Sequence, residues 1–341
     1  MPSKTSDNGQ AESNPKSPLY LFFTGCCMGA ADVVPGVSGG TMAFIMGVYE
    51  QLLAAVKSVD IDFAKKLLRF EFVGALAQIP WRFLIPLIAG IGCSVGVLAK
   101  VVTYLMHEHQ ELLFAFFFGL VAASIVALAA RLTWTVSGVI GMVAGTVFAY
   151  WLVGLVPRDP GHSPLILFGS GALAICAMIL PGIYGSFILL ILGQYEYCVA
   201  ALSQLITDLK DLNFAAVFST TISTVIPLVT GMVLGLGAFS RILSWLLAKY
   251  HNLTVATLTG FMIGSLRRIW PFKENLEFMT NRHGEQVPIE WRNCLPDALD
   301  QHVFLALGLC VAGFILITII DHIHDRKNPI MLLLWRPKTE A

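Results

Sequence analysis

Two stretches, Leu19 to Ala55 and Pro164 to Ala201, are almost wholly apolar, each too long for one membrane helix, and each is broken at its centre by Pro and Gly. The breaks read VVPGVSGGT (Val33 to Thr41) and ILPGIYGSF (Ile179 to Phe187). Each arm offers about 15 residues, roughly half a bilayer, so the economical reading is a hairpin of two half-helices meeting at mid-membrane depth. A kinked pair of full-length helices is the alternative. Non-helical backbone at that depth is tolerated only where protein buries it or a wet cavity hydrates it, so both readings imply a site.

Composition agrees. The 341 residues are 56% hydrophobic and 13% charged, against about 25% charged in soluble domains, which excludes a soluble enzyme. Net charge is zero, so nothing draws nucleic acid, and membrane lipids are the expected partner. The seven cysteines are odd in number and lack any Cys-x-x-Cys; they read as small buried apolar residues. Six further runs, Phe83 to Met106, Leu112 to Ala130, Val136 to Val156, Ile222 to Leu247, Leu253 to Leu266 and Val303 to Ile320, are expected to span the membrane. Residues 1–18 are expected to be a disordered cytoplasmic tail, 19–156 and 164–322 two membrane repeats, about 270–301 an outer polar loop, and 323–341 a second cytoplasmic tail.

The chain repeats itself. A shift of 146 residues aligns Pro35 with Pro181, Gly36 with Gly182, Gly39 with Gly185, Gly47 with Gly193 and Glu50 with Glu196. A shift of 141 then aligns Pro86 with Pro227, Gly90 with Gly231, Lys100 with Arg241 and Gly119 with Gly260. Each half holds one broken hairpin and three spanning helices, and three is odd, so the halves have opposite orientation. The expected fold class is therefore an all-α polytopic membrane protein: an inverted repeat, each half with one broken re-entrant helical hairpin plus three transmembrane helices. The N-terminal side carries 14 of the 22 lysines and arginines, which places both termini in the cytoplasm.

After each break a half-helix begins, at Ser38-Gly39-Gly40-Thr41 and at Tyr184-Gly185-Ser186, with unpaired amides facing the membrane centre. Glycines admit a ligand close to the backbone, hydroxyls of Ser38, Thr41 and Ser186 add hydrogen bonds, and two opposed helix N-termini make an anion site. The competing reading is that these small residues serve helix crossing.

The tip ADVVPGVSGGT (Ala31 to Thr41), its partner AMILPGIYGSFILLILGQYE (Ala177 to Glu196) and GFMIGSLRRIWPF (Gly260 to Phe272) closely resemble the DUF368 family, over nearly all of Leu19 to Phe272. The resemblance implies transport of polyprenyl phosphate, returning undecaprenyl phosphate, the lipid carrier of envelope glycans, from the outer to the inner leaflet of the bacterial plasma membrane. Tyr184 stands where that family usually has a serine, which puts a hydroxyl contact there in doubt or hands it to the phenol. The substrate-binding set expected on this footing is Pro35, Gly36, Ser38, Gly39, Gly40, Thr41, Pro181, Gly182, Gly185 and Ser186, with cations from Arg131, Arg267 and Arg268. Arg82, Lys100 and Arg241 are further cationic candidates, Arg82 reading better as a snorkelling interface residue.

Moving about 1.5 to 2 negative charges inward against an inside-negative potential costs roughly 3 to 5 kcal/mol per 100 mV, so coupling to H+ or Na+ is expected. Asp32, Glu50 and Glu196 are the coupling candidates; for the two glutamates a solvated interfacial anchor is the rival reading. No cofactor or metal is expected, since His107-x-His109 and His322-x-His324 lack a third ligand and all eight histidines read as solvated loop residues. Val56 to Phe72 reads as an interfacial amphipathic helix. The alternatives of other classes are a polyprenyl-diphosphate phosphatase, which would want an arginine in a serine-rich tip, and a small-anion transporter.

Overall fold

Apolar runs punctuated by Pro, Gly and short polar links give a chain that is mostly helical. The structure, a computed structural model, describes residues 16–33, 38–59, 61–155, 161–280, 286–296, 298 and 300–325. In the first half these form α1 (Pro18–Val33), α2 (Gly39–Ile45), α3 (Tyr49–Lys57), α4 (Ile61–Leu68), α5 (Phe72–Leu76), α6 (Trp81–Glu108), α7 (Gln110–Arg131) and α8 (Val136–Leu152). The second half follows with α9 (Pro164–Ile179), α10 (Gly185–Ile191), α11 (Tyr195–Lys210), α12 (Phe214–Thr220), a π turn (Thr221–Val225), α13 (Ile226–Lys249), α14 (His251–Ser265) and α15 (Gln301–Asp325). Among the described residues, Gln110–Arg131, Phe214–Lys249 and Gln301–Ile319 are long and apolar enough to cross a bilayer unaided. Shorter apolar helices such as Val136–Leu152 and Pro164–Ile179 accompany them, and exposed Val139, Val143, Val147 and Trp151 line one face of α8. The chain is a polytopic helical membrane protein.

Four helix pairs carry the packing: α1 on α6, α9 on α13, α7 on α15 and α8 on α14. Exchanging the halves turns this set into itself. The crossings are close because glycine sits in them. A β-carbon on Gly90 would lie 2.1 Å from the Phe22 carbonyl oxygen, and one on its repeat mate Gly231 would lie 2.0 Å from that of Phe168, which is Phe22 shifted by 146 residues. Backbone approach of this kind substitutes for the hydrophobic effect between helices in lipid. The main core joins Met28, Phe44, Tyr49, Phe117, Leu258, Met262 and Ile269; a smaller one, Ala174, Ala177, Ile183 and Ile188, lies under the second break.

The second arms depart from the expected continuous half-helices. Each is only seven residues long, α2 and α10, and then turns by 118° into α3 or by 105° into α11. Gly47 and Gly193 make the turns at φ +60° and +64°. The amide of Val48 reaches the Ala43 carbonyl at 2.9 Å and that of Gln194 the Leu189 carbonyl at 2.8 Å, the six-to-one bond of a Schellman stop. The spacing matched these glycines, but a glycine at a helix crossing and one at a helix stop are the same letter.

A further departure is the polar segment 270–301, which is not wholly loop. Lys273–Thr280 (β1) and Gln286–Asn293 (β2) form an antiparallel pair, Lys273 opposite Asn293, with register shifts around Glu277. The hairpin is tied to the bundle at its base: Trp270 Nε1 donates to the Cys294 carbonyl at 2.9 Å, and Asn293 Nδ2 to the Arg267 carbonyl at 2.8 Å. The interfacial segment expected at Val56 to Phe72 becomes the end of α3, then α4 and the start of α5, with Phe70, Phe72 and Val73 exposed.

Candidate functional site

The first break delivers the N-terminus of α2 into the bundle. Ser38 caps it, its Oγ accepting from the Gly40 amide at 3.1 Å. The Gly39 amide donates to Asp32 Oδ1 at 2.6 Å. These two amides were expected to be unpaired; the structure shows both satisfied from within the chain, because the last turn of α1 puts a carboxylate within reach of its own tip. Pro35 and Gly36 lie outside the described residues.

The second break is built differently. Pro181, Gly182 and Ile183 are buried, with Gly182 at φ +86° and packed so closely on α14 that a β-carbon would lie 2.8 Å from Ser265 Oγ. Here the residue before α10 is Tyr184, whose side chain caps nothing. Among the described residues the Gly185 and Ser186 amides make no hydrogen bond, and Ser186 is exposed. The two tips meet. The Gly182 amide donates to Thr41 Oγ1 at 2.8 Å, a buried bond across 141 residues of sequence, and Tyr49 Oη donates to the Ile179 carbonyl at 2.8 Å beside it.

A cation arrives at the second tip from the turn after α14. The Arg268 guanidinium lies 5.2 Å from the Phe187 ring and 3.5 Å from that of Trp291 on β2, with the Tyr184 phenol beside it. Its Nη1 is shielded from solvent and has no hydrogen-bond partner. Lys273 follows on β1, its Nζ donating to the Arg268 carbonyl and sitting 4.1 Å from the Phe114 ring of α7. Burial first, and the charge of Arg268 second, pull this ammonium down from the usual lysine range to about 6. Two basic groups therefore share a partly buried corner among aromatic rings, which attract cations but leave Arg268 Nη1 unfilled.

The other expected residues lie elsewhere. Arg267 points away from Arg268: its Nη1 donates to the Tyr150 carbonyl at 3.0 Å and its guanidinium lies 4.4 Å from that ring. Arg131 is exposed at the far end of α7 from Phe114, about 25 Å along the helix. Glu50 is exposed and pairs with His251 at 3.3 Å, and Glu196 is exposed at the start of α11. Of the three acids, Asp32 alone touches a tip. His162 is an exposed loop residue before α9, as expected, with its ring stacked on Tyr197 at 4.0 Å and its Nδ1 3.1 Å from Oε1 of the fully buried Gln194. Among the described residues no three His, Cys, Asp or Glu side chains converge as metal ligands would.

Lys273, Trp291 and the Thr41 link were not anticipated. Lys273 stands directly after the WPF that ends the recognisable stretch, and was grouped with the polar loop. A cation at the seam between an apolar run and that loop was the available signal.

The fold and its paired tips define a multi-pass helical membrane protein with two broken helices meeting inside the bundle. The chain belongs to the VCA0040-like family, described as undecaprenyl phosphate translocase-like, whose family model matches residues 28–287. It is 40% identical over 279 residues to a polyprenyl-phosphate transporter of Vibrio cholerae serotype O1, covering 82% of this chain and 86% of the relative. A polyprenyl-phosphate transporter of Staphylococcus aureus is 29% identical over 264 residues, covering 73% of this chain and 85% of the other. No solved structure matches the chain.

Proposed function

We propose that this protein moves polyprenyl phosphate, undecaprenyl phosphate in the cell, from the outer to the inner leaflet of the bacterial plasma membrane, returning the lipid carrier for envelope glycan synthesis. The observation that carries this reading is Arg268, with its shielded and unpartnered Nη1, standing at the second tip, which is itself bonded to the first. The names of the relatives supply the substrate.

The physics fits a lipid with a charged head. Its isoprenoid tail stays in hydrocarbon, so only the head group needs a path, and a bare phosphate there faces tens of kcal/mol by a Born estimate. Arg268, the free amides of Gly185 and Ser186, and the Ser186 hydroxyl offset that cost at the second tip. The first tip holds its own anion, Asp32, so the head group engages the second tip first, not two equivalent helix ends. Helix packing that maps onto itself when the halves are exchanged supports an inverted repeat, which presents one tip to each face of the membrane. Asp32 is the acid best placed to carry a coupling H+, with Na+ as the alternative ion, because its bond to Gly39 is broken or kept according to whether a phosphate competes for that amide.

Leaflet-resolved labelling of polyprenyl phosphate in liposomes, with and without the protein, tests the function. Labelled lipid that changes leaflet no faster with protein than without would refute it. Release of inorganic phosphate from a polyprenyl diphosphate would instead mark a phosphatase, and uptake of a water-soluble anion a small-anion transporter.

A further inference from the structure

The head-group reading names Arg268, but that residue does not stand alone, and the environment of its neighbour has no structural purpose on its face. Lys273 reaches back from β1 to the Arg268 carbonyl, with Phe114 of α7 against Lys273 and Trp291 of β2 against both basic groups. Two basic side chains packed together without an acid do not both stay charged unless an anion completes them. Among the described side chains, the other ionisable groups around this corner do not supply one. Tyr184 offers a neutral phenol beside Arg268; on the hairpin, Glu274 is turned outward to Arg292 at 2.9 Å; on α7, Glu111 is exposed, and His109 faces Tyr104. Cys294 at the end of β2 engages the base of the hairpin through its backbone. Among the described residues no carboxylate pairs with either cation.

Resting on that head-group reading, we infer that Lys273, carried on the β-hairpin, is the second cation of the site and selects phosphomonoester lipids over the phosphodiester phospholipids that surround the protein. Arg268 alone matches the single charge of a diester. A monoester carries about 1.5 to 2 negative charges at neutral pH, and only its second charge makes it favourable to protonate a lysine held in a partly buried corner beside a guanidinium. In the empty site Lys273 is neutral above about pH 6. Entry of a monoester draws a proton from water onto Nζ, and entry of a diester does not. Selectivity and proton uptake are therefore one event, and the hairpin, by holding Lys273 against Arg268, carries it.

The test uses the purified full chain in detergent and two probes, farnesyl phosphate and its methyl diester, titrated calorimetrically at pH 8 in buffers of different ionisation enthalpy. The wild-type protein is expected to bind the monoester at least tenfold more tightly and to take up about one proton with it, none with the diester. Lys273→Gln is expected to bind both alike, within about threefold, with no uptake. Lys273→Arg, charged at every accessible pH, is expected to keep the tenfold preference while losing the uptake, and it decides the matter if Lys273→Gln does not fold. Preference and uptake that survive in Lys273→Gln, or uptake that survives in Lys273→Arg, overturn the assignment of Lys273 and leave the head-group reading standing. Equal binding of both probes by the wild-type protein also overturns the assignment alone. Binding of neither overturns both.

Discussion

Thr41 Oγ1 accepts the Gly182 amide at 2.8 Å, so a hydroxyl of the first tip is spent on fastening it to the second. The bond is buried, and its loss strands an amide at a cost of about 1 to 3 kcal/mol. Thr41→Val keeps the shape and removes the acceptor; Thr41→Ser keeps the acceptor. The expected result in liposomes is a drop in lipid translocation of about tenfold or more for the valine variant, from about 1.4 kcal/mol per decade, with the serine variant within about threefold of wild type. Equal rates for the two would show that the tips act without being joined.

Arg267 and Arg268 are adjacent in sequence and opposite in role. Arg268 presents a shielded, unfilled donor at the second tip, whereas Arg267 anchors α14 to the end of α8 through the Tyr150 carbonyl and ring. Arg268→Gln is expected to reduce translocation by at least about 100-fold, the scale of a lost charge-assisted bond to phosphate. Arg267→Gln is expected to cost less than about threefold, its loss being of packing at the interface. A reversal of the two effects would move the head-group site to α8.

Asp32 occupies the amide that a phosphate would take. Asp32→Asn still accepts from Gly39 through its side-chain carbonyl, so the fold is kept, but it neither carries a proton nor repels an anion. Protons moved per lipid are expected to fall in this variant, by one for each lipid if Asp32 is the coupling group, while binding of the lipid head tightens. Unchanged coupling would remove Asp32 from the transport cycle. Asp32→Ala lacks the acceptor as well, and its thermal midpoint is expected to drop with a loss of about 1 kcal/mol, as for a deleted helix cap.

The helix crossings make a separate, stricter test. Gly90→Val and Gly231→Val drive side chains into the Phe22 and Phe168 carbonyls across repeat-related interfaces, whereas nothing lies within 4 Å of a β-carbon at Gly92 or Gly96. The first two are expected to abolish recovery of folded protein from the membrane, and alanine at Gly92 or Gly96 to leave the thermal midpoint within about 2 °C, the size of a surface change. Equal tolerance at all four positions would mean that α1 and α9 do not approach α6 and α13 as described.

What the chain spells out plainly is whatever backbone proximity demands. Pro-Gly breaks and crossing glycines recur at fixed shifts where backbones approach closely, so the duplication and the position of both tips were readable, whereas six full spans were expected and three described helices are long and apolar enough to cross unaided. The stops at Gly47 and Gly193 were not, since a left-handed glycine and a packing glycine look alike until the amides of Val48 and Gln194 are seen to close the turn. Nor was the capping of Gly39 by Asp32, because its polarity near the tip was evident but the direction of the last turn of α1 was not. Lys273 was hidden for a third reason. Its burial exists only once β1 and β2 fold back over α7 and bring Trp291 above Arg268, a relation between segments that share no local pattern.

That burial has a pH signature independent of any lipid. In the unfolded chain Lys273 keeps its proton to about 10.5, and in the folded protein it releases it near 6. Between those values the unfolded state binds more protons, so stability rises with pH across the window; below about 6 both states are charged and the penalty is complete and constant. Lys16, buried where it donates to the Met46 and Gly47 carbonyls and pulled down to about 8, adds the same trend only above that value. The interval from pH 6 to 8 therefore lies below the Lys16 trend, and the difference from Lys273→Gln isolates Lys273 there. The thermal midpoint of the wild type relative to Lys273→Gln is expected to climb by about 5 °C there, from at most about 1.4 kcal/mol per pH unit. A flat difference would show the amine in water and the hairpin lifted off Arg268.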